Sequence, residues 1–308
     1  MTIEVASEVE DALAGGRGVV ALESTLICHG IPRPQNLELA REIEREVRAA
    51  GGVPATIAVL DGRVKVGLTD AELERLAAAP DAVKCSTRDL PAAVATGRLG
   101  GTTIAATIFV AAQWGIPVMA TGGLGGVHLG GEASMDVSAD LEELAHVPIA
   151  VVCSGVKSIL DPGRTLERLE TLGVPVIGYG CALMPEFYTG EGRFPVARIE
   201  DVAALQRLMA AHRGLRLPGG VLITQPPPEA LALPKDAVDR LVRDARVAAE
   251  QASIKGPAQT PFMLAHMAEQ SAGATVRLNC ALVCANARLA GQLAAALVGK
   301  KPTMSEKA

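Results

Sequence analysis

Three charged residues, Glu23, Lys84 and Lys157, stand at or just beyond the ends of apolar stretches that are typical of buried strands, and a fourth such stretch leads through a glycine-rich loop to Asp136. A carboxylate or an ammonium group is costly to bury unless it is paired or functional. The carboxyl ends of parallel strands meet at one edge of a sheet, which is where open α/β folds bind their ligands. Each residue alone could be a surface charge or half of a salt bridge. Together they predict one site.

The stretch around Lys157 is the most informative of the four. Residues 149–161 read IAVVCSGVKSILD, in which an apolar run predicts a buried strand and Ser154-Gly155 predicts a turn. This turn delivers a lysine where a helix could begin. If the strand is central to a parallel sheet, this lysine lies at its carboxyl end, where such folds bind their ligands, although the segment alone is equally typical of a solvated loop lysine.

A glycine-rich loop at 121–140, TGGLGGVHLGGEASMDVSAD, precedes that strand. It does not match a dinucleotide motif, because Gly123-x-Gly125 is followed three residues later by His128 and not by glycine. Ser138 is a good helix N-cap, and the free amides of a helix start can also bind an anion. Asp136, with serine and water, has the oxygen ligands that suit a hard divalent cation.

Strands and helices must bring these residues together, and their order predicts the fold class. Strand-like and helix-like segments alternate through the middle of the chain, which is typical of a mostly parallel sheet covered on both faces. We expect a three-layer α/β/α domain with a mixed, mostly parallel sheet and C-terminal helical elaborations. Local signals include a hairpin at Asp61-Gly62 and a capping box from Thr69 to Glu72. Residues 1–298 are expected to form one domain, and 299–308 a disordered tail.

Composition excludes several classes of function. The net charge of −5 gives no general attraction to nucleic acid or to anionic membranes, and aromatic residues are only 2% of the chain, too few for base-stacking platforms. The six cysteines form no Cys-x-x-Cys pair, so disulfide and zinc interpretations are weak. The acidic N-terminus has no apolar signal segment. We therefore expect a cytoplasmic protein with a small-molecule substrate.

Six stretches of the chain resemble the pseudouridine-5'-phosphate glycosidase family, also called indigoidine synthase A-like, between about residues 3 and 298. They are ALESTLICHGIPRPQN (21–36), VKCSTRDLP (83–91), GTTIAAT (101–107), ATGGLGGVHLGGEASMDVSADL (120–141), VVCSGVKSILD (151–161) and TPFMLAHMAEQ (260–270). The resemblance implies cleavage of the carbon–carbon glycosidic bond of pseudouridine 5'-phosphate to uracil and ribose 5-phosphate. It also implies one Mn²⁺ per subunit, with Mg²⁺ as an alternative, and a homotrimer.

Residue roles follow from the same resemblance. Lys157 would be the covalent nucleophile, Glu23 the acid/base and Asp136 the metal ligand. The expected substrate contacts are Lys84, the backbone at Ile104, and the stretch Ser138, Ala139 and Asp140. His128 and Asn279 are expected near the ribose and the base.

The residue types suit this chemistry. The sugar is bonded to carbon C5 of the base, so a pair of carboxylates would find no leaving heteroatom to protonate. An amine can instead form an imine with C1'. We therefore expect Glu23 to protonate the ring oxygen, the neutral amine of Lys157 to add at C1', and water to hydrolyse the resulting imine.

Three other functions use some of the same features. An aldolase-like lyase acting on another phosphosugar would use the same lysine imine. A metabolite-binding regulatory protein would need fewer charged strand ends. A ribokinase-like kinase would need a nucleotide motif that the chain lacks.

Overall fold

A computed structural model describes residues 2–190, 192–254 and 256–298. The expected disordered tail, 299–308, lies outside the described residues. The strands, in chain order, are β1 (Ile3–Val5), β2 (Val19–Leu22), β3 (Val53–Leu60), β4 (Arg63–Val66), β5 (Val83–Cys85), β6 (Gly100–Thr102), β7 (Val118–Ala120), β8 (Val127–His128), β9 (Ala150–Cys153), β10 (Leu160–Asp161), β11 (Val176–Tyr179), β12 (Ala197–Ile199) and β13 (Val221–Thr224).

The α-helices between these strands include long amphipathic helices and single turns. In chain order they are α1 (Ser7–Ala14), α2 (Gln35–Ala49), α3 (Asp70–Ala78), α4 (Leu90–Ala95), α5 (Ile104–Gln113), α6 (Gly131–Ser134), α7 (Ala139–His146), α8 (Pro162–Thr171), α9 (Val202–Gly214), α10 (Lys235–Gln251), α11 (Gln259–Gln270) and α12 (Ala274–Leu297).

Eleven strands form one mixed sheet, and β8 pairs with β10 in a separate two-stranded sheet. Seven neighbouring strands run parallel in the order β3-β2-β7-β9-β13-β11-β12. Strand β3 continues beyond the end of β2, and there it pairs antiparallel with β4 on one side and β6 on the other. The predicted mixed and mostly parallel sheet is confirmed.

The sheet separates two apolar layers, because successive side chains of a strand point to opposite faces. In β2, Val20 and Leu22 pack in the layer formed with α2, α9, α10, α11 and α12. Val19 and Ala21 pack in the opposite layer, with α1, α4, α5, α7 and α8. This confirms the three-layer α/β/α architecture with added C-terminal helices.

Several local predictions are also confirmed. Asp61 and Gly62 have positive φ angles of 51° and 74° and join β3 to β4, as the hairpin signal predicts. The Thr69 side chain accepts a hydrogen bond from the Glu72 amide, and the Glu72 carboxylate accepts one from the Thr69 amide. The residues that the sequence favoured as turn and cap therefore occupy those positions.

Helix α12 is, among the described residues, the one helix whose length and composition could span a membrane. Half of its most apolar stretch is buried inside the protein. It packs closely against α2, where a Cβ added at Gly291 would lie 2.7 Å from the Ala50 Cβ atom. Burial in the core therefore accounts for its apolar character.

Candidate active site

A cavity of about 940 Å³ lies at the carboxyl ends of β2, β7 and β9. The structure brings every residue predicted for the site to its lining: Glu23, Lys84, Ile104, Asp136, Ser138, Ala139, Asp140 and Lys157. His128 and Asn279 line it as well. Its volume suits a ligand of nucleotide size.

Glu23 follows β2 directly, and the next residue fixes the chain there. The Ser24 hydroxyl donates to the Ile57 carbonyl oxygen at 2.6 Å, and the Ser24 amide donates to the Thr102 carbonyl oxygen at 3.2 Å. The Thr121 hydroxyl donates to Glu23 Oε1 at 2.6 Å. Burial raises the pKa of Glu23, although the charge of Lys157 and the Thr121 hydrogen bond oppose this. Glu23 therefore holds a proton more readily than an exposed glutamate.

Lys157 lies in the loop after β9, and backbone hydrogen bonds fix its position. Its amide donates to the Leu124 carbonyl oxygen at 3.1 Å, and the Leu124 amide donates to the Gly155 carbonyl oxygen at 2.9 Å. Gly155 has φ of 81°, and a Cβ there would lie 1.8 Å from the Pro185 carbonyl oxygen. The predicted turn is confirmed. No helix begins at Lys157: the short strand β10 follows it, and the next helix, α8, begins at Pro162.

Lys84 reaches the cavity by a route that differs from the prediction. It lies within β5, which is parallel to β6, and β6 is antiparallel to β3. Lys84 therefore does not come from the carboxyl end of a strand parallel to β2. Instead, β6 docks on the chain just beyond β2, where the Thr102 amide donates to Ser24 Oγ at 2.9 Å, and β5 lies beside it. Burial and then the charge of Lys157 lower the pKa of Lys84, whereas the nearby carboxylates oppose this.

Asp140 ties two parts of the cavity wall together. Its carboxylate accepts hydrogen bonds from the Ala105 amide and the Gly125 amide, each at 3.0 Å. Ser138 caps α7, as predicted, since its hydroxyl accepts from the Asp140 amide at 3.3 Å.

Helices α5 and α7 both begin at the cavity, at Ile104 and Ala139. Two helix N-termini favour an anionic group between them.

Asp136 is the predicted metal ligand, and its surroundings permit a hydrated hard cation. His128 Nδ1 lies 3.9 Å from Asp136 Oδ2. Burial is the largest of the effects that lower the pKa of His128. The lowered pKa keeps the ring neutral. Within the described residues, no group of three or more His, Cys, Asp and Glu side chains could hold a metal. The oxygen donor of Asp136 therefore fits Mg²⁺ or Mn²⁺ that keeps most of its water ligands, and not an all-protein cage.

Other cavity residues escape sequence reasoning. His29 fits no metal-ligand spacing in the sequence, yet it lines the cavity. Within the described residues, His29 Nε2, Thr87 Oγ1 and Asn279 Oδ1 are buried without a hydrogen-bond partner. Thr121 carries no motif of its own, but it directly follows β7 and is the first residue of the glycine-rich loop. That position is the signal that could have identified it.

Comparisons with known proteins agree on one family. The family model described as indigoidine synthase A like protein matches residues 8–296. The pseudouridine-5'-phosphate glycosidase of Symbiobacterium thermophilum is 50% identical over 299 residues, covering 96% of this chain and 97% of that protein. That of Mesorhizobium japonicum is 48% identical over 299 residues, with the same coverage.

Two solved structures share the fold. The prealnumycin C-glycosynthase AlnA, in complex with ribulose 5-phosphate, has a TM-score of 0.89 and 41% identity, covering 96% of this chain and 97% of that one. An indigoidine synthase A-like protein from Thermotoga maritima has a TM-score of 0.88 and 35% identity, with the same coverage.

The fold, the charged cavity and these relatives together define an α/β enzyme. The family match covers nearly the whole described chain, and so does the alignment with each relative. The chain belongs to the indigoidine synthase A-like family.

Proposed function

We propose that the chain cleaves the carbon–carbon glycosidic bond of pseudouridine 5'-phosphate reversibly, giving uracil and ribose 5-phosphate through a lysine–ribose imine. The observation that carries this proposal is that Glu23 and Lys157 line the same cavity. The charge of Lys157 lowers the pKa of Glu23 and so opposes the larger effect of burial, which raises it. The names of the relatives support the substrate.

The first step opens the ribose. Glu23 gives its proton to the ring oxygen while the neutral amine of Lys157 bonds to C1' and the bond from C1' to the ring oxygen breaks. The raised pKa of Glu23 suits an acid that must be protonated before the reaction begins.

The second step releases the base. The Glu23 carboxylate takes a proton from the Lys157 nitrogen, which became positively charged when it bonded to C1', and delivers that proton to C5 of uracil. The C1'–C5 bond breaks, its electron pair restores the double bond of the base, and the freed lone pair of the Lys157 nitrogen forms the protonated imine to C1'. Water then adds to C1' and its oxygen becomes the aldehyde oxygen of ribose 5-phosphate, while Lys157 recovers its amine and the remaining proton returns to Glu23.

The other residues hold the substrate in this proposal. Lys84 and the starts of α5 and α7 would bind the phosphate, because a cation and two helix N-termini favour an anion. A divalent cation at Asp136, which we propose to be Mn²⁺ with Mg²⁺ as the alternative, would supply positive charge that offsets the phosphate. The unpartnered Oδ1 atom of Asn279 would accept a hydrogen bond from the base.

We also propose that the protein is a cytoplasmic homotrimer. The resemblance to the family supports the trimer, and the composition and the burial of α12 support a protein free of membranes. Sedimentation equilibrium would give the mass of three chains if the trimer is correct.

Uracil release tests the function directly. The purified protein should release uracil from pseudouridine 5'-phosphate, faster with added Mn²⁺ than with a chelator. Lys157→Ala should abolish release while keeping the wild-type circular dichroism spectrum and melting temperature. Release of an aldehyde from other sugar phosphates, without uracil release, would favour an aldolase-like lyase instead.

A further inference from the structure

A buried amide on α12 joins the ends of three strands of the sheet. The side chain of Asn286 is fully buried. Its Nδ2 group donates to the carbonyl oxygens of Thr121 at 2.8 Å and Gly122 at 3.3 Å. Its Oδ1 atom accepts from Gln225 Nε2 at 2.8 Å, and the Ser154 hydroxyl lies 3.3 Å from the same atom. These partners follow β7, β13 and β9, in that order.

The location has a physical reason. Backbone groups at the ends of buried strands need partners where the ladder of the sheet stops. The backbone hydrogen bonding between β7 and β9 continues one residue pair past the strands, because the Ser154 amide donates to the Gly122 carbonyl oxygen at 2.8 Å. Beyond this hydrogen bond the regular pairing of β7 and β9 ends, and the two chains meet again through Leu124, whose amide donates to the Gly155 carbonyl oxygen at 2.9 Å and whose carbonyl oxygen accepts from the Lys157 amide at 3.1 Å. Asn286 lies at the end of the regular pairing, between the strands and this second contact.

Each of these chains leads to one reacting group of the proposed function. Thr121, whose carbonyl oxygen accepts from Asn286, donates its hydroxyl to Glu23. Ser154, which contacts the same amide, precedes the Gly155 turn that presents Lys157. One side chain therefore fixes the backbone that leads to the acid and the backbone that leads to the amine.

We propose that Asn286 is a positioning residue for the reaction, acting through Thr121 on Glu23 and through Ser154 on Lys157. This inference rests on the proposed function. It assigns Asn286 no contact with the substrate. Substitution of Asn286 should therefore change kcat and the pKa of Glu23, and it should leave KM nearly unchanged.

Three variants separate positioning from simple stabilisation: Asn286→Leu, Thr121→Val and the double variant. Thr121→Val removes a hydrogen bond that lowers the pKa of Glu23, so the alkaline limb of kcat/KM for uracil release should move to higher pH. Asn286→Leu should move it in the same direction and lower kcat by about tenfold or more, since small misplacements of reacting groups are costly. The double variant should show no further shift, because both changes act on one contact.

Gln206→Leu is the matched control, because Gln206 also donates an amide hydrogen bond to α12, at the Ala296 carbonyl oxygen, and neither residue lines the cavity. It should lower the melting temperature and leave the pH profile unchanged. Asn286→Ala leaves room for water at the three strand ends and serves if Asn286→Leu does not fold. Additive shifts in the double variant, or no shift in either Asn286 variant, would overturn the inference.

A readout without turnover keeps the inference separate from the proposed function. If the wild-type protein releases no uracil, the proposed function fails. The pKa of Glu23, followed by carbon-13 NMR of its carboxyl group, then tests Asn286 on its own. Its pKa should rise in Asn286→Leu and stay unchanged in Gln206→Leu, and a pKa that stays unchanged in both would overturn the inference.

Discussion

At the scale of single residues, the site combines a glutamate with a raised pKa and two lysines in one cavity. The sequence could indicate Glu23 and Lys157, because a charged residue after an apolar strand is unusual. For Thr121 the sequence offers only its position directly after a strand, and for Asn286 it offers no signal, because the contacts of both are hydrogen bonds between residues far apart in the chain. Their residue types alone give no functional signal.

Lys84→Met tests whether this lysine binds the phosphate. A hydrogen bond to a charged group contributes about 1.5–3 kcal/mol, so KM for pseudouridine 5'-phosphate should rise by about 10- to 150-fold. Because burial lowers the pKa of Lys84, the wild-type KM should also rise at alkaline pH as the ammonium loses its proton.

Pseudouridine without the phosphate provides the control for this prediction. Its KM should be nearly the same for Lys84→Met and for the wild-type protein. An equal loss with both substrates would show that Lys84 does not act on the phosphate.

At the scale of elements, parallel strands and glycine-rich turns position the site. The strand–helix alternation predicted most of this arrangement. It did not predict β6, because Gly100-Gly101 has the composition of a loop, and so it did not reveal that Lys84 enters from an antiparallel pair of strands. Strand direction depends on long-range pairing, which a local pattern does not contain.

Gly125→Ala tests the close packing of the glycine-rich loop. A Cβ at this position would lie 2.3 Å from Ser138 Oγ and 2.4 Å from Asp140 Oδ2, so the start of α7 would have to move. We expect kcat/KM for uracil release to fall by about 100-fold, as for other small misplacements in active sites.

Gly214→Ala is the matched control, since an added Cβ at the exposed end of α9 meets nothing within 4 Å. It should keep wild-type activity and a melting temperature at or slightly above that of the wild type. If Gly125→Ala were as active as Gly214→Ala, the loop would not need its close contact with Asp140.

At the scale of the whole molecule, two apolar layers on either side of one sheet support the cavity, as the alternation of strands and helices in the sequence predicted. Burying an ionisable side chain against such an apolar layer lowers the stability of the folded protein by an amount that depends on pH. Glu44 on α2 is an example, because burial raises its pKa even though the Thr56 hydroxyl donates to its Oε1 atom at 2.6 Å.

Glu44→Gln should therefore stabilise the protein in a pH-dependent way. In the folded protein the pKa of Glu44 lies above its ordinary value of 4.5. The protein is therefore most stable, as far as Glu44 is concerned, below pH 4.5, where the carboxyl group is protonated, and it loses that stability as the pH rises through the folded pKa and the group becomes charged. Glutamine keeps an acceptor for Thr56 and carries no charge. The melting temperature of the variant should exceed that of the wild type near neutral pH, and the two should converge in acid.

Glu38→Gln, at an exposed position of the same helix, provides the comparison for this effect. It should change the melting temperature little at any pH. A stabilisation by Glu44→Gln that is the same in acid as at neutral pH would show that charge is not its cause.

The central claim is that Lys157 forms a covalent imine with the sugar. Borohydride added during turnover should reduce this imine and leave a stable adduct of ribose 5-phosphate, which mass spectrometry of peptides can locate. We expect the added mass on the peptide that contains Lys157. An adduct on Lys84, the other lysine that the described residues place in the cavity, or full activity without any adduct, would contradict the account.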